Sequence, residues 1–222
     1  MSTMITEPLG WLRLGVGIYW RIAGLKNSLM TAPALDPGRV IMGAWIVFAV
    51  YWLVSAFGRA QAQRKEPRIE RLGHVLWLSG AAYLLYSSEP WMGALNRRFL
   101  PDWPWIGQLG AWLTLVGIAF AIWARYHLGK NWSGDVTIRQ DHKLIRTGPY
   151  AWVRHPIYTG MLIALAGTAL WVARYRALVG LAMFLVGFRR KANKEEAFLA
   201  QQFGSDFEQH KQHTGFFLPH LG

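Results

Sequence analysis

Residues 105–124 read WIGQLGAWLTLVGIAFAIWA, twenty positions without a charge. A helix rising about 1.5 Å per residue crosses the roughly 30 Å hydrocarbon core of a bilayer in that length. Residues 40–57 repeat the pattern over 18 positions. Residues 72–87 and 156–173 are also uncharged, slightly short, and can be extended by flanking side chains that snorkel. Residues 177–188 are 12 positions, too few by themselves, and predict a tight helical hairpin with the preceding span around Ala173, Arg174, Tyr175 and Arg176. Trp91, Trp103, Trp105, Trp123 and Trp171 fall near the predicted span ends, as in an aromatic belt. The expected fold is all-α: a polytopic integral membrane protein of about five transmembrane helices.

The rest of the chain fits around those spans. Its 222 residues are 53% hydrophobic and 16% charged, which excludes disorder, and the absence of cysteine excludes a disulfide scaffold, thiolate zinc sites and cysteine nucleophiles. A formal charge of +12 points to nucleic acid or to an anionic membrane, and the spans decide for the membrane. Residues 1–10 are polar and mildly acidic, unlike a signal peptide. In residues 9–30, Arg13, Gly17, Arg21 and Gly24 recur at helical spacing, which predicts an interfacial helix, with a sixth span as the alternative. Asp36, Pro37 and Gly38 then break the chain. With five spans, residues 58–71, 125–155 and 189–222 share one side and carry 16 Lys and Arg, against eight on the other. The positive-inside rule places those three segments in the cytosol and the N-terminus outside. A single membrane domain is expected, read as an N-terminal segment 1–36, three spans in 37–124 and a catalytic part 125–222.

Chemistry is expected in the loop 125–155 and the tail from Arg189, which are polar, adjacent to the bilayer and on the same side. The loop carries His142, Lys143, Leu144 and Ile145, then Gly148, Pro149 and Tyr150, then Arg154, His155, Pro156, Ile157 and Tyr158. The tail carries Arg189, Arg190, Lys191, Glu195 and Glu196, followed by Phe203 and Gly204. This composite of Gly-Pro-Tyr, Arg-His-Pro-x-Tyr, Glu-Glu and Phe-Gly resembles the isoprenylcysteine carboxyl methyltransferase and phospholipid methyltransferase superfamily of integral membrane enzymes, over about residues 125–219. The resemblance implies a helical membrane fold that binds S-adenosylmethionine without a Rossmann domain, and the chain has no Gly-x-Gly-x-x-Gly run.

Carried over position by position, the resemblance implies cofactor contacts from His142, Lys143, Leu144, Ile145, Tyr150, His155, Pro156, Ile157, Tyr158 and Glu195. Lys191 stands where the family has an arginine that holds the acceptor carboxylate; lysine keeps the charge and loses the bidentate fork. Lys191, Arg154 and Glu195 are the expected catalytic residues, with Lys191 also binding the acceptor. By themselves, Arg154 before Pro156 reads as a snorkelling anchor, and Glu195 with Glu196 as the solvated first turn of an amphipathic helix whose Leu199, Phe203 and Phe207 face the membrane. The combination with Tyr150, Tyr158 and Glu195 reverses that reading for Arg154; Glu195 is carried over as a cofactor contact, and Glu196 keeps the solvated reading. His74 is expected to face the bundle. His210 and His213 fall short of the three or four ligands a divalent metal asks for, so no metal is expected.

The expected activity is methyl transfer from S-adenosylmethionine to a lipophilic acceptor entering from the bilayer, with carboxyl O-methylation of an isoprenylcysteine-like substrate foremost. Ethanolamine N-methylation of a phospholipid is the alternative. A membrane reductase needing a nicotinamide pocket, and a non-catalytic lipid-binding protein, are further possibilities. Membrane lipids are the other expected partners.

Overall fold

The computed structural model describes residues 35–56, 68–87, 89–129 and 144–220. The predicted interfacial helix at 9–30 lies outside these. The elements below belong to Pro37–Gly222, which forms one compact unit. Helix α1 is Pro37–Ala56 and α2 is Arg68–Tyr86; a 3₁₀ turn at Pro90–Asn96 leads to α3, Pro104–Leu128. A second 3₁₀ turn, Gly148–Ala151, precedes α4, Pro156–Val172, then α5, Tyr175–Phe203, and α6, Ser205–His213. Proline opens α1, α3 and α4, where a missing N–H costs nothing and the fixed φ suits the first helical turn. Among the described residues there is no strand, and the β-type pairing consists of isolated bridges Arg98 to Arg174 and Val153 to Gly215.

Among the described residues each uncharged stretch is helical up to its last residue or two. Pro37–Ser55 and Pro104–Leu128 are long and apolar enough to cross a membrane, and Pro156–Val172 is a shorter apolar helix. On α1, Met42, Ile46, Val47, Val50, Leu53 and Val54 lie along one side and are each more than half exposed. In water each would forgo about 1.5–3 kcal/mol of burial, so this face suits hydrocarbon. The tryptophans read as interface anchors are all exposed. The hairpin between α4 and α5 turns as expected, through Ala173 in the left-handed region and Arg174, clasped by Phe99 N–H to the Ala173 carbonyl and Tyr175 N–H to the Arg97 carbonyl.

The closest helix pair is α3 with α4, and glycine sets it. A Cβ on Gly110 would stand 2.6 Å from the Gly167 carbonyl oxygen, and one on Gly117 2.6 Å from that of Gly160. The two backbones therefore touch. Thr114 sits on the same seam, donating to the Gly110 and Ala164 carbonyls. Helix α1 leans on this pair through Ala44 and Phe48 against Ile118 and Ala121, and Trp45 donates to Thr168. On the other side α2 packs on α5, where Gly180 approaches the Ala81 carbonyl and the buried Arg176 guanidinium satisfies the last carbonyls of α2, Leu84 and Leu85.

The C-terminal part differs from expectation. No new helix begins at residue 189; α5 runs on through Arg189 and both glutamates to Phe203 and stops at Gly204, whose φ of +49° suits glycine, and the separate helix α6 starts only at Ser205. Phe207, expected to face lipid, is buried in the protein. His74 is half-buried on α2.

Candidate active site

Three segments converge where α4 begins. Residues 152–155 pair with the C-terminal segment: the Gly215 N–H donates to the Trp152 carbonyl, the Arg154 N–H to Gly215, and the His155 N–H to Phe216. His155 caps α4, and Tyr158 lies one turn on. Helix α5 brings Glu195 and Glu196 alongside, with Tyr158 stacked on Phe188 at 5.1 Å fixing the spacing of α4 and α5.

The ionic geometry is specific. The Tyr158 hydroxyl donates to Glu195 Oε1 at 2.6 Å. His155 Nε2 lies 3.1 Å from Glu196 Oε1, and its Nδ1 lies 3.6 Å from Glu195 Oε2. The imidazole is thus held between two carboxylates, its side chain 5% exposed. Arg154 Nε donates to Glu196 Oε1 at 2.6 Å, and its Nη1 donates to the carbonyls of Lys211 and Thr214.

These contacts set the protonation states. Burial works against a charged His155, but hydrogen bonding and attraction from Glu195 and Glu196 outweigh it and raise its pKa. Burial likewise works to raise the Glu195 carboxyl, and hydrogen bonding to His155, the charges of His155 and Lys191, and the Tyr158 hydroxyl together hold it below the usual range. Glu196 is lowered in the same manner, against burial, by His155 and Arg154. Burial pushes the Tyr150 hydroxyl far up, helped by the Glu195 charge and opposed by Arg125, so it remains a donor. The site is an imidazole between two carboxylates, ringed by aromatic faces: Phe216 is 4.8 Å and Phe217 6.1 Å from the His155 ring, and Phe217 is 6.4 Å from Tyr158.

The structure brings together His155, Tyr158 and Glu195, as the motif suggested, and places Lys191 half-buried one turn before Glu195, where its charge acts on that carboxylate. Pro156 and Ile157 are buried scaffold; Ile157 packs with Tyr150, Ala124, Leu128 and Ile145. Tyr150 stacks on His127 of α3. Leu144 and Ile145 are half-buried. His142 and Lys143 lie outside the described residues.

One reading is corrected: Glu196 is not solvated. Its side chain is 14% exposed and faces Arg154, itself 10% exposed. Arg154 is not a snorkelling anchor, in keeping with the motif: its Nε goes to Glu196 and its Nη1 to the C-terminal segment. Phe216 and Phe217 were not anticipated. Their signal in the sequence is faint, two aromatic residues after Thr214-Gly215 at the end of a polar helix. A Cβ at Gly215 would overlap the Leu218 carbonyl, so glycine is what lets this segment fold back.

Comparison with known proteins matches this geometry to one family. Residues 110–201 fit the model of the isoprenylcysteine carboxyl methyltransferase family. A rice (Oryza sativa subsp. indica) protein named as a probable protein-S-isoprenylcysteine O-methyltransferase is 28% identical over 125 residues, 55% of this chain and 65% of its own length. The protein-S-isoprenylcysteine O-methyltransferase of Schizosaccharomyces pombe is 30% identical over 99 residues, 43% of this chain and 42% of its own. The chain thus spans less than two thirds of these curated relatives. The solved structure of a eukaryotic intramembrane Ras methyltransferase, an isoprenylcysteine carboxyl methyltransferase, superposes with a TM-score of 0.54 at 19% identity, covering 86% of this chain and 70% of that one. The resemblance read from the motif is borne out over residues 110–201, and the fold is similar to that of the solved structure.

Proposed function

We propose that this protein is an S-adenosylmethionine-dependent methyltransferase that spans the bilayer about five times and O-methylates the carboxylate of a lipophilic, isoprenylcysteine-like acceptor at its cytosolic face. The observation that carries the reading is the ionised Glu195, held by Tyr158 and His155 at the end of two apolar helices and surrounded by aromatic rings. S-adenosylmethionine supplies a methyl group on a positively charged sulfur. The residues suit it: Glu195 can accept from an amine or ribose hydroxyl, the Tyr150 hydroxyl can donate, and aromatic faces suit the cation.

The protonation states select the acceptor class. His155 has its pKa raised by the two glutamates beside it, and Glu195 and Glu196 have theirs lowered, which disfavours the carboxylates as bases toward an ammonium group. A carboxylate acceptor is ionised at neutral pH and needs no base. The protein's work is then alignment and exclusion of water from the nucleophile, with Lys191, one turn from Glu195, as the cation that orients it.

The test uses the full chain in detergent. S-adenosylmethionine and S-adenosylhomocysteine should each give a titration-calorimetry isotherm, and labelled methyl should pass to an isoprenyl-cysteine analogue but not to phosphatidylethanolamine. Lys191→Met should raise the apparent acceptor KM and lower kcat/KM with donor affinity nearly unchanged, while Lys191→Arg keeps activity. Methylation of the amine lipid with none of the carboxylate would overturn the acceptor assignment, and absence of binding by either ligand would overturn the activity.

A further inference from the structure

Beyond α6 the chain folds back along residues 152–159, beside the site. Gly215 and Phe216 are hydrogen-bonded to Trp152, Arg154 and His155 through main chain, and the Thr159 hydroxyl adds a bond to the Phe217 carbonyl at 2.8 Å. Arg154 fastens the same stretch from the side, donating to the Lys211 and Thr214 carbonyls while Glu196 holds its Nε. Phe216 lies under two guanidinium groups, Arg154 at 5.6 Å and Arg189 at 5.3 Å. Phe217 is placed otherwise: its ring stands edge-to-face to both His155 and Tyr158, the two residues that hold Glu195.

We propose that residues 214–217 form a strap closing the methyl-donor site, that Phe217 is the aromatic wall facing the donor's positive charge, and that Glu196 and Arg154 are positioning residues that latch the strap. The proposal rests on the methyltransferase reading given above. The roles of the two aromatic residues follow from their partners. Phe216 has its attraction for cations satisfied within the protein and serves as an anchor. Phe217 contacts the His155, Tyr158 and Phe216 rings and, among the described residues, lies under no Lys or Arg side chain, and it stands beside the Glu195 carboxylate, the combination that favours a sulfonium over a neutral thioether. Latch and wall are coupled, because Arg154 holds the carbonyl of Thr214, three residues before the ring.

Two ligands of nearly equal shape separate charge recognition from packing: S-adenosylmethionine carries the sulfonium and S-adenosylhomocysteine does not. In titration calorimetry with the full chain in detergent, Phe217→Leu should weaken the first by roughly two- to thirtyfold and the second by much less. Phe217→Trp should retain the preference. Equal losses for both ligands in Phe217→Leu would overturn the role of the ring. Glu196→Gln should weaken both ligands alike and speed trypsin cleavage after Lys211, with Arg154→Lys cleaved less than Arg154→Met. Unchanged cleavage in Glu196→Gln would overturn the latch. If the parent protein binds neither ligand, the methyltransferase reading falls and the wall with it, and the cleavage assay still judges the latch.

Discussion

Glu195 accepts from Tyr158 and keeps 29% of its side chain exposed, whereas Glu196, one residue on, is spent on Arg154 and His155. The two should respond differently to the same change. Glu195→Gln should cost donor binding about 1.5–3 kcal/mol, roughly tenfold to over a hundredfold in Kd, with little change in Tm. Glu196→Gln leaves a buried guanidinium without its counter-charge and should lower stability by about 1–3 kcal/mol, with a smaller effect on Kd. Equal Kd values and equal Tm values in the two variants would sink the distinction. The clamp also predicts a pH profile. His155 has a raised pKa, so its contribution to stability is complete below its ordinary value of 6.5 and is lost as pH rises through the raised value. Glu195 and Glu196 have lowered pKa values, so theirs is complete above 4.5 and is lost as pH falls below it. Tm in detergent should therefore be highest between these limits and decline on the alkaline side, and His155→Gln should flatten that alkaline decline. A parent protein with constant Tm from pH 6.5 to about 9 speaks against an imidazolium clamp. That His155, Tyr158 and Glu195 cooperate was legible from their types and the motif; that Glu196 belongs with Arg154 was not, because adjacent residues on a helix point about 100° apart and the sequence does not say which faces inward.

Among the elements, the pair α3 and α4 carries the scaffold. Gly110 and Gly117 on one helix, and Gly160 and Gly167 on the other, are each seven residues apart, two turns along one face. Adding a methyl at Gly117 or Gly167 pushes against backbone that cannot yield, since a Cβ at Gly167 would stand 2.6 Å from the Thr114 nitrogen. Gly117→Ala or Gly167→Ala should lower stability by about 1–3 kcal/mol or more, read as a fall in Tm. Gly43→Ala on α1, where no atom lies within 4 Å, should leave Tm unchanged or raise it slightly. Similar Tm values for Gly117→Ala and Gly43→Ala would mean the helices are not in backbone contact. The seven-residue spacing is visible in the sequence, but which helix each glycine faces is not, because that depends on how the helices are packed. The length of α5 was misread for another reason. Charge ended the apolar run at Phe188, yet residues 189–203 hold no Gly or Pro and are mostly good helix formers, so the helix continues where the membrane signal stops.

For the molecule as a whole, Arg97 lies at the end of the α3 and α4 pair where Tyr175 bonds its carbonyl, and Lys211 at the other end, where Arg154 bonds its carbonyl. The charge asymmetry of 16 against eight predicts that the active end faces the cytosol. The chain has no cysteine to interfere, so Arg97→Cys should react with an impermeant maleimide on intact cells and Lys211→Cys only after permeabilisation. Labelling of position 211 without position 97 would invert the orientation. What the sequence by itself determined is the set of helices and the residue types of the site. Uncharged length against bilayer thickness is a one-dimensional property, and Pro37, Pro104, Pro156 and Gly204 mark boundaries locally. What only the tertiary structure decided is which charge meets which. Tyr158 reaches Glu195 across 37 residues, Arg154 reaches Glu196 across 42, and the C-terminal strap returns across 60. Those pairings depend on the azimuth and register of packed helices, and a slip of one residue along α5 would exchange the two glutamates.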